Sequence, residues 1–419
     1  MRVAIIGGGP AGLMAAAVLS GGVRVFESGN HPGRKLLLSG GGQCNITHAG
    51  GPEDFLPHYG GNGRFLKAAL HAFPPQALLG FFRARGLEFV TREDGKVFPA
   101  SLKARSVLDA LVRAASGAVF HTGTKVTALR RVSGVFVIET EEGPRGDKNR
   151  YEADRVILAT GGLSCLERGS GGSGYGLAQA LGHSIRQPKP ALCALSSPGL
   201  APLAGNSFRN IGVSVFRPNS EAANGRHGQA PCGRAGGLAF RAAGDLLFTH
   251  RGVSGPVVLN LSRHIERGDT LAVNFLHPRK PEEFLAAFPP EAKKDPRKTL
   301  GGLLSEYHLT RALEDCILGR LAIPRAKTCA LLARSEMRRL AEQLVRFPVP
   351  VAGTGGFRSA MVTAGGLCLD EVNPKTMESR IAAGLYFAGE VLDIDGDEGG
   401  YNLQAAFSTG YLAAKSIAT

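Results

Sequence analysis

The first thirty residues constrain the fold more than any other part of the chain. Val3–Ile6 is a continuous apolar run, which is typical of a parallel strand buried on both faces. A glycine sequence G-x-G-x-x-G follows directly, then an Ala- and Leu-rich segment from Pro10 to Leu19, then a short strand that ends at Glu27. Strand, glycine turn, helix and acid in this order predict a dinucleotide-binding βαβ unit. Its acid, Glu27, is expected to accept hydrogen bonds from the adenosine ribose.

Each residue of the glycine turn has its own physical task. Gly7 makes the tight turn, Gly9 lets the backbone approach a pyrophosphate, and Gly12 lets the helix pack closely on the strand. At Pro10 and Ala11 the helix begins, and its free N–H groups and positive dipole end favour phosphate there. We therefore expect all five residues to contact the cofactor.

Two later strand–turn segments favour FAD over a nicotinamide cofactor. The sequence A-T-G, which includes Thr160 and Gly161, resembles the second motif of flavoproteins with two dinucleotide-binding domains. An apolar strand that ends in Gly389 and Glu390 resembles their third motif, in which the acid holds the ribityl chain. An ordinary NAD dehydrogenase would show neither segment, so we predict FAD as the cofactor.

A fourth segment is more specific. Residues 33–47 read G-R-K-L-L-L-S-G-G-G-Q-C-N-I-T, which resembles the pattern G-R-K-L-x-x-S-G-G-G-R-C-N-x-T of the BaiN/YhiN-like (BaiN/RdsA) family of NAD(P)/FAD-dependent flavoproteins. The other similar segments are residues 95–99, 248–256 and 389–404. The chain departs from the family at Gln43, which replaces an arginine. It departs again at Cys165, Leu166 and Ser173, which replace a tyrosine, a proline and an aspartate.

The resemblance covers the whole chain and implies an α/β fold with a split Rossmann-like FAD-binding domain. We expect this domain at residues 1–190 and 354–419, a β-barrel-like insertion at 191–280 and a small helical insertion at 281–353. The further cofactor contacts are predicted at Arg34, Lys35, Ser39, Gly40, Gly41, Cys44, Asn45, Val126, Asp393, Asn402 and Leu403.

Local patterns add three expectations about secondary structure. Residues 145–149 predict a polar turn. Residues 191–278 predict short strands separated by Gly, Pro and Ser. Residues 300–318 predict one helix.

Proton chemistry has two candidate residues. Cys44 lies within the glycine-rich segment, where N–H groups would lower the pKa of its thiol; the alternative is a small packing residue. His250 lies in the insertion segment expected to face the flavin, and its alternative role is a structural hydrogen bond. The seven cysteines have no CxxC spacing, so neither a disulfide framework nor a metal site is predicted.

We consider three functions. The first is an FAD-dependent oxidoreductase that reduces or oxidises a C=C or C–N bond by hydride transfer through flavin N5, with uridine-to-dihydrouridine reduction in ribosomal RNA as one form implied by the family. The second is a non-catalytic or sensory FAD-binding protein that binds RNA or a protein. The third is an amine or aminoketone oxidase that uses O2. NAD(P)H is a candidate diffusible electron donor, and the glycine loop at 160–176 is an alternative NAD site.

Charge suggests the type of partner. The net charge is +14, and residues 191–353 carry 22 Lys and Arg against 13 Asp and Glu. A basic insertion suits ribosomal RNA as well as a small molecule; ordinary solvated charge is the alternative. The densest cations are Lys293, Lys294, Arg297 and Lys298. No apolar run approaches the ~20 residues of a membrane span, so a cytoplasmic protein is expected, with its oligomeric state left open.

Overall fold

A computed structural model describes residues 1–19, 21–143, 145–165, 172–218 and 236–419. They divide into two compact units, Met1–Ala191 with Phe357–Thr419 and Leu192–Gly356. Part of the glycine loop that the sequence offered as an alternative NAD site lies outside the described residues, and so does Cys232. The described cysteines are free.

Elements are numbered in chain order. The strands are β1 Val3–Ile6, β2 Val23–Glu27, β3 Thr47–His48, β4 Phe89–Thr91, β5 Lys96–Pro99, β6 Val119–Thr122, β7 Thr124–Val132, β8 Val135–Glu142, β9 Asp147–Ala153, β10 Arg155–Leu158, β11 Ile185–Ala191, β12 Leu195–Ser196, β13 Ser207–Pro218, β14 Gly236–Thr249, β15 Gly252–Ser254, β16 Thr270–Asn274, β17 Phe347–Pro350, β18 Gly353–Thr354, β19 Val362–Leu367 and β20 Leu385–Phe387. The helices are α1 Pro10–Val18, α2 Pro52–Phe55, α3 Gly63–Ala72, α4 Pro75–Arg83, α5 Ala104–Ala114, α6 Ser173–Ala180, α7 Pro256–Leu261, α8 Pro281–Ala292, α9 Leu300–Ser305, α10 Arg311–Leu321, α11 Arg334–Val345, α12 Gly356–Ser359 and α13 Tyr401–Ala418.

The first unit is built on a five-stranded parallel sheet in the order β20-β10-β1-β2-β6. All four residues of β1 are buried, as the continuous apolar run predicted. Because the strands are parallel, the carboxyl ends of β1, β10 and β20 share one edge, which brings the three cofactor motifs together. The predicted α/β Rossmann-like fold is confirmed.

The C-terminal segment returns to the fingerprint helix. A Cβ at Gly410 of α13 would lie 2.3 Å from the Ala11 carbonyl oxygen of α1, and a Cβ at Gly389 would lie 2.9 Å from the Ala11 Cβ. Only glycine allows backbones this close. Gly389 and α13 therefore pack directly against α1.

One local expectation in this unit is wrong. Residues 145–149 do not form only a turn, because β9 begins at Asp147 and pairs with β8 through Glu142. Most side chains of β9 are exposed. Their polarity therefore reports a solvated strand and not a loop.

The second unit contains a seven-stranded antiparallel sheet in the order β17-β16-β13-β14-β15-β12-β18. Its two long strands, β13 with 12 residues and β14 with 14, contradict the expectation of short strands alone. One hydrophobic core includes residues of both this sheet and the helices α8 to α11. The segments predicted as a barrel-like and a helical insertion thus share their packing.

The single helix predicted at residues 300–318 is also wrong. The chain forms α9 and α10 there, with His308 between them at a φ of 53°. Thr310 caps α10, since its side chain accepts a hydrogen bond from the Leu313 N–H. Because Thr310 caps a new helix inside the apolar pattern, the chain forms two helices there and not one.

Across both units, none of the helices among the described residues is sufficiently long and apolar to span a bilayer.

Candidate cofactor site

The fingerprint turn has the geometry that its glycines predict. Gly7 has a φ of 107°, and a Cβ there would lie 2.4 Å from the Ala159 carbonyl oxygen. A Cβ at Gly12 would lie 2.0 Å from the Gly7 oxygen, so any side chain would push the helix off the strand. A Cβ at Gly9, in contrast, meets no atom within 4 Å. Gly9 therefore borders open space at the helix N-terminus, where the pyrophosphate is expected.

Glu27 holds the same turn together. One carboxylate oxygen accepts a 2.9 Å hydrogen bond from the Gly8 N–H, and the other accepts a 2.7 Å bond from the Gly29 N–H. A carboxylate has about four acceptor positions, so Glu27 can still accept from ribose hydroxyls. The sequence predicts the ribose contact, but it does not show that Glu27 also accepts hydrogen bonds from the turn.

The glycine-rich segment after Glu27 curls into a nest. Gly40, Gly41 and Gly42 have φ values of 56°, 65° and 88°, and Cys44 follows at 62°. The Cys44 N–H donates to the Ser39 carbonyl oxygen at 2.9 Å, which closes the loop. A Cβ at Gly41 would again meet no atom within 4 Å. Such backbone concavities present N–H groups to electron-rich ligands.

Cys44 itself does not fit the proton-transfer role. Its side chain is fully buried in a core cluster with Leu36 and Ile46. Burial raises the pKa of the Cys44 thiol to about 12, and a hydrogen bond to Ser39 offsets this only in part. The predicted lowering of the pKa is therefore wrong, because desolvation outweighs the nest. The side chain has the surroundings of a packing residue.

Among the buried side-chain polar atoms of the first unit that lack a hydrogen-bond partner within the described part of the chain, three lie in or beside the predicted cofactor segments. They are Asn45 Oδ1, Thr160 Oγ1 and the Tyr175 hydroxyl. Such atoms are uncommon in native proteins and call for a ligand or another specific cause. Asn45 and Thr160 belong to two of the predicted cofactor segments, so a bound cofactor explains them directly. A Cβ at Gly174 would lie 1.9 Å from Thr160 Oγ1, so a glycine is needed beside it.

Tyr175, on α6, was not predicted as a site residue. Its side chain is 7% exposed. Burial raises the pKa of its hydroxyl well above the usual value, and the charges of Glu390 and Asp393 raise it further. The hydroxyl is therefore protonated at neutral pH and able to donate a hydrogen bond. In the sequence, Tyr175 follows a glycine in the loop after the second motif. Apart from that proximity, nothing there marks it as a site residue.

Glu390 is the centre of a polar network that ties the motifs together. The Lys35 ammonium pairs with Glu390 Oε2 and donates to Ser164 Oγ at 2.5 Å. Ser164 Oγ and the Thr363 N–H donate to Glu390 Oε1 at 2.7 and 2.9 Å. Lys35 thus neutralises the charge of Glu390. Its neighbour Arg34, also predicted to contact the cofactor, is exposed. Sequence reasoning missed Ser164, which lies in the T-G-G-x-S stretch, and Thr363, which has no motif around it.

The N-terminus of α13 completes the site. Gly400 caps the helix at a φ of 97°, and the first N–H groups of this 18-residue helix have no partner within it. Asn402 is committed to the preceding loop, since its amide exchanges hydrogen bonds of 2.8 and 2.9 Å with the Gly396 backbone. Leu403 is half-buried beside it. The backbone of this turn, more than the Asn402 side chain, is available to a cofactor.

The remaining predicted residues have different surroundings. Asp393 is buried and its carboxylate lies 3.3 Å from Arg186 Nη1; burial raises its pKa. Val126 is buried on β7 in the core of the first unit. His250 belongs to the second unit, in an exposed turn between β14 and β15.

The residues of the first unit fit FAD. The turn from Gly7 to Gly12 would hold the pyrophosphate, and Glu27 the adenosine ribose. The nest, Thr160 and the start of α13 would surround the flavin end. When bound, FAD supplies two-electron redox chemistry at its flavin ring.

Comparison with known proteins agrees with this assignment. A 3-dehydro-bile acid delta(4,6)-reductase of Clostridium scindens is 33% identical, across 100% of this chain and 99% of its own length. A ribosomal RNA dihydrouridine synthase of Escherichia coli is 32% identical, across 99% and 97%. The solved structure of E. coli quinol fumarate reductase FrdA, 16% identical, aligns with 100% of this chain and 70% of its own at a TM-score of 0.51, which shows the fold alone.

The family described as HI0933-like protein Rossmann domain matches residues 1–416. The match runs through both units and includes every predicted cofactor residue. The chain therefore belongs to the HI0933-like Rossmann family.

Proposed function

We propose that this chain, an FAD-dependent oxidoreductase, reduces carbon–carbon double bonds conjugated to a carbonyl group, and that its substrate is a uridine of ribosomal RNA. The names of the two curated relatives support the reaction type. In a 3-dehydro-bile acid with double bonds at positions 4 and 6, these double bonds are polarised by a nearby carbonyl. The C5–C6 double bond of uridine is polarised by a nearby carbonyl as well. A hydride adds to the carbon far from the carbonyl and a proton to the nearer one.

The observation that carries the RNA substrate is the exposed basic segment after α8. Lys293, Lys294 and Arg297 are exposed and form no ion pair with any residue that the structure describes. Lys298 differs, since it pairs with Glu306. Unpaired surface cations gain most from phosphate, because they release its condensed counterions without breaking a protein contact. This supports RNA more directly than the net charge alone.

The test is a nucleoside analysis of ribosomal RNA. Mass spectrometry of RNA from a strain that lacks this gene should show loss of a uridine that is about 2 Da heavier than normal. Re-expression of the wild-type chain should restore it, and re-expression of a Gly9→Val chain should not. Unchanged dihydrouridine in the deletion strain would remove RNA as the substrate.

A small-molecule enone is the second candidate, because the bile acid reductase is 33% identical over the whole chain. Reoxidation of the reduced flavin by a 3-oxo-4,6-diene steroid, in parallel with uridine-containing RNA, separates the two. An amine oxidase would instead release peroxide without any added acceptor.

A further inference from the structure

A cavity of about 290 Å³ lies in the first unit. Phe65, Leu369 and Pro374 give it apolar walls, and Arg186, Arg380 and Asp370 give it charge. None of the residues predicted to contact FAD lines it. The predicted FAD contacts therefore leave this cavity without a ligand, although Arg186 at its wall contacts Asp393 of the predicted cofactor segment.

Both arginines are anchored and still have hydrogen-bond donors to offer. Arg186 Nη1 lies 3.3 Å from the Asp393 carboxylate, and Arg380 Nε donates to the Val372 carbonyl oxygen at 3.3 Å. A guanidinium carries five N–H donors in a planar fork that matches phosphate. Two guanidinium groups at one cavity, each with donors left over, favour an anionic ligand.

The wall that carries Arg380 is held in place by a buried relay. The Ser379 hydroxyl lies 2.9 Å from His183 Nε2, and His183 Nδ1 lies 3.2 Å from a Glu371 carboxylate oxygen. The His183 side chain is fully buried. Because the relay fixes both ends of the segment between Glu371 and Ser379, Pro374 and the backbone next to Arg380 are preorganised.

We infer that this cavity binds the adenosine-phosphate end of NADPH. The inference rests on the proposed function, since a reductase needs an electron donor. The 2′-phosphate would lie between Arg186 and Arg380, and the base against Phe65 and the other apolar walls. Asp370 would accept from the 3′-hydroxyl, which is the free hydroxyl of that ribose. Arginine, a flat apolar surface and a carboxylate are together the groups that recognise a phosphorylated nucleoside.

The position of the cavity suits an electron donor. Arg186 contacts the Asp393 side chain, and Asn62, also at the cavity, donates its amide to the Asp393 carbonyl oxygen at 2.7 Å. Asp393 follows Glu390 in the third motif. The cavity therefore adjoins the segment that is predicted to hold FAD.

A single nucleotide fits this cavity better than an RNA strand. Its volume of about 290 Å³ admits one small ligand, and Asp370 lines it together with the two arginines. A further carboxylate, Asp393, lies behind Arg186. Because like charges repel, carboxylates beside the arginines disfavour a continuous phosphate backbone more than a single phosphate.

The test uses the FAD-loaded full chain and calorimetric titration with adenosine 2′,5′-bisphosphate. Wild type should bind this probe, and should bind adenosine without phosphate at least tenfold more weakly. Arg380→Ala should weaken probe binding about tenfold to a hundredfold, because a charge-assisted phosphate contact is lost. Arg380→Lys should recover part of the affinity. Arg113→Ala, an exposed arginine of α5 that does not line the cavity, is the matched control and should bind like wild type.

Flavin content in every variant reports that the first unit is folded. The inference is overturned if wild type does not bind the probe at millimolar concentration, or if Arg380→Ala binds it unchanged. It is also overturned if oligouridylate displaces the probe and NADPH does not. Chemically reduced protein tests the proposed function separately, since reduction of RNA would then proceed without a nucleotide donor.

Discussion

Glu27 illustrates how one side chain can serve both folding and binding. Glu27→Ala should lower FAD affinity about ten- to a hundredfold, because charge-assisted hydrogen bonds of roughly 1.5–3 kcal/mol are lost. It should also destabilise the turn, since the Gly8 and Gly29 N–H groups lose their acceptor. Titration of apoprotein with FAD, followed by flavin fluorescence, measures the first effect.

The control for Glu27 is Glu139→Ala, which removes a half-exposed carboxylate from β8. Its FAD affinity should match wild type. If Glu27→Ala also matched wild type, the ribose would be held by other residues.

At Cys44, burial and not the glycine nest determines the chemistry. With a thiol pKa of about 12, Cys44 stays neutral between pH 6 and 9. Cys44→Ala should leave the pH dependence of turnover unchanged and lower the free energy of unfolding by about 1 kcal/mol through lost packing. Rate measurements across this pH range and denaturant titration check both parts. If the pH profile of turnover shifted in Cys44→Ala, the prediction would be wrong and this thiol would take part in catalysis.

At the scale of elements, two glycines of the turn between β1 and α1 have different roles: Gly9 serves cofactor binding and Gly12 serves folding. Gly9→Val should fold and lose FAD, because a side chain there has room in the protein and occupies the pyrophosphate's space. Gly12→Val should fail to fold, because its Cβ would lie 2.0 Å from the Gly7 oxygen. Circular dichroism and flavin absorbance of the two purified variants distinguish these results. A yellow Gly9→Val protein would contradict the placement of the cofactor.

The elements also show which parts of the site a sequence can reveal. The parallel sheet and its motifs were predictable, because a strand buried on both faces is a continuous apolar run, as at Val3–Ile6. The partners of Glu390 were not, since Ser164 and Thr363 are 199 residues apart and their contacts leave no local pattern. The environment of Cys44 was not predictable either. Its backbone belongs to the nest while its side chain is buried in the core, and the sequence does not show that both hold for one residue. Local periodicity reports burial, while polar networks depend on the completed fold.

At the scale of the whole molecule, charge is divided between the two units and the closing segment. The basic excess of residues 191–353 contrasts with residues 354–419, which carry 4 Lys and Arg against 8 Asp and Glu. FAD has only two phosphates, and its predicted contacts are in the first unit. Lys293, Lys294 and Arg297 of the second unit, which form no ion pair with any described residue, are therefore available to a different anionic partner.

If that partner is RNA, the three unpaired cations after α8 should contact its backbone. Reversal of Lys293, Lys294 and Arg297 to glutamate should weaken RNA binding and reduce the log–log salt slope by about 2, since each contacted phosphate of a single strand contributes about 0.7. Lys298 is left unchanged because it pairs with Glu306. Reversal of Lys103, Arg113 and Lys148, exposed cations of the first unit that likewise form no ion pair with any described residue, changes the net charge equally and should leave the slope near its wild-type value. Flavin content should be the same in both triple variants. Fluorescence anisotropy of a labelled ribosomal RNA fragment across a salt series gives the slopes, and equal slopes in the two variants would mean that the segment after α8 is a solvated loop.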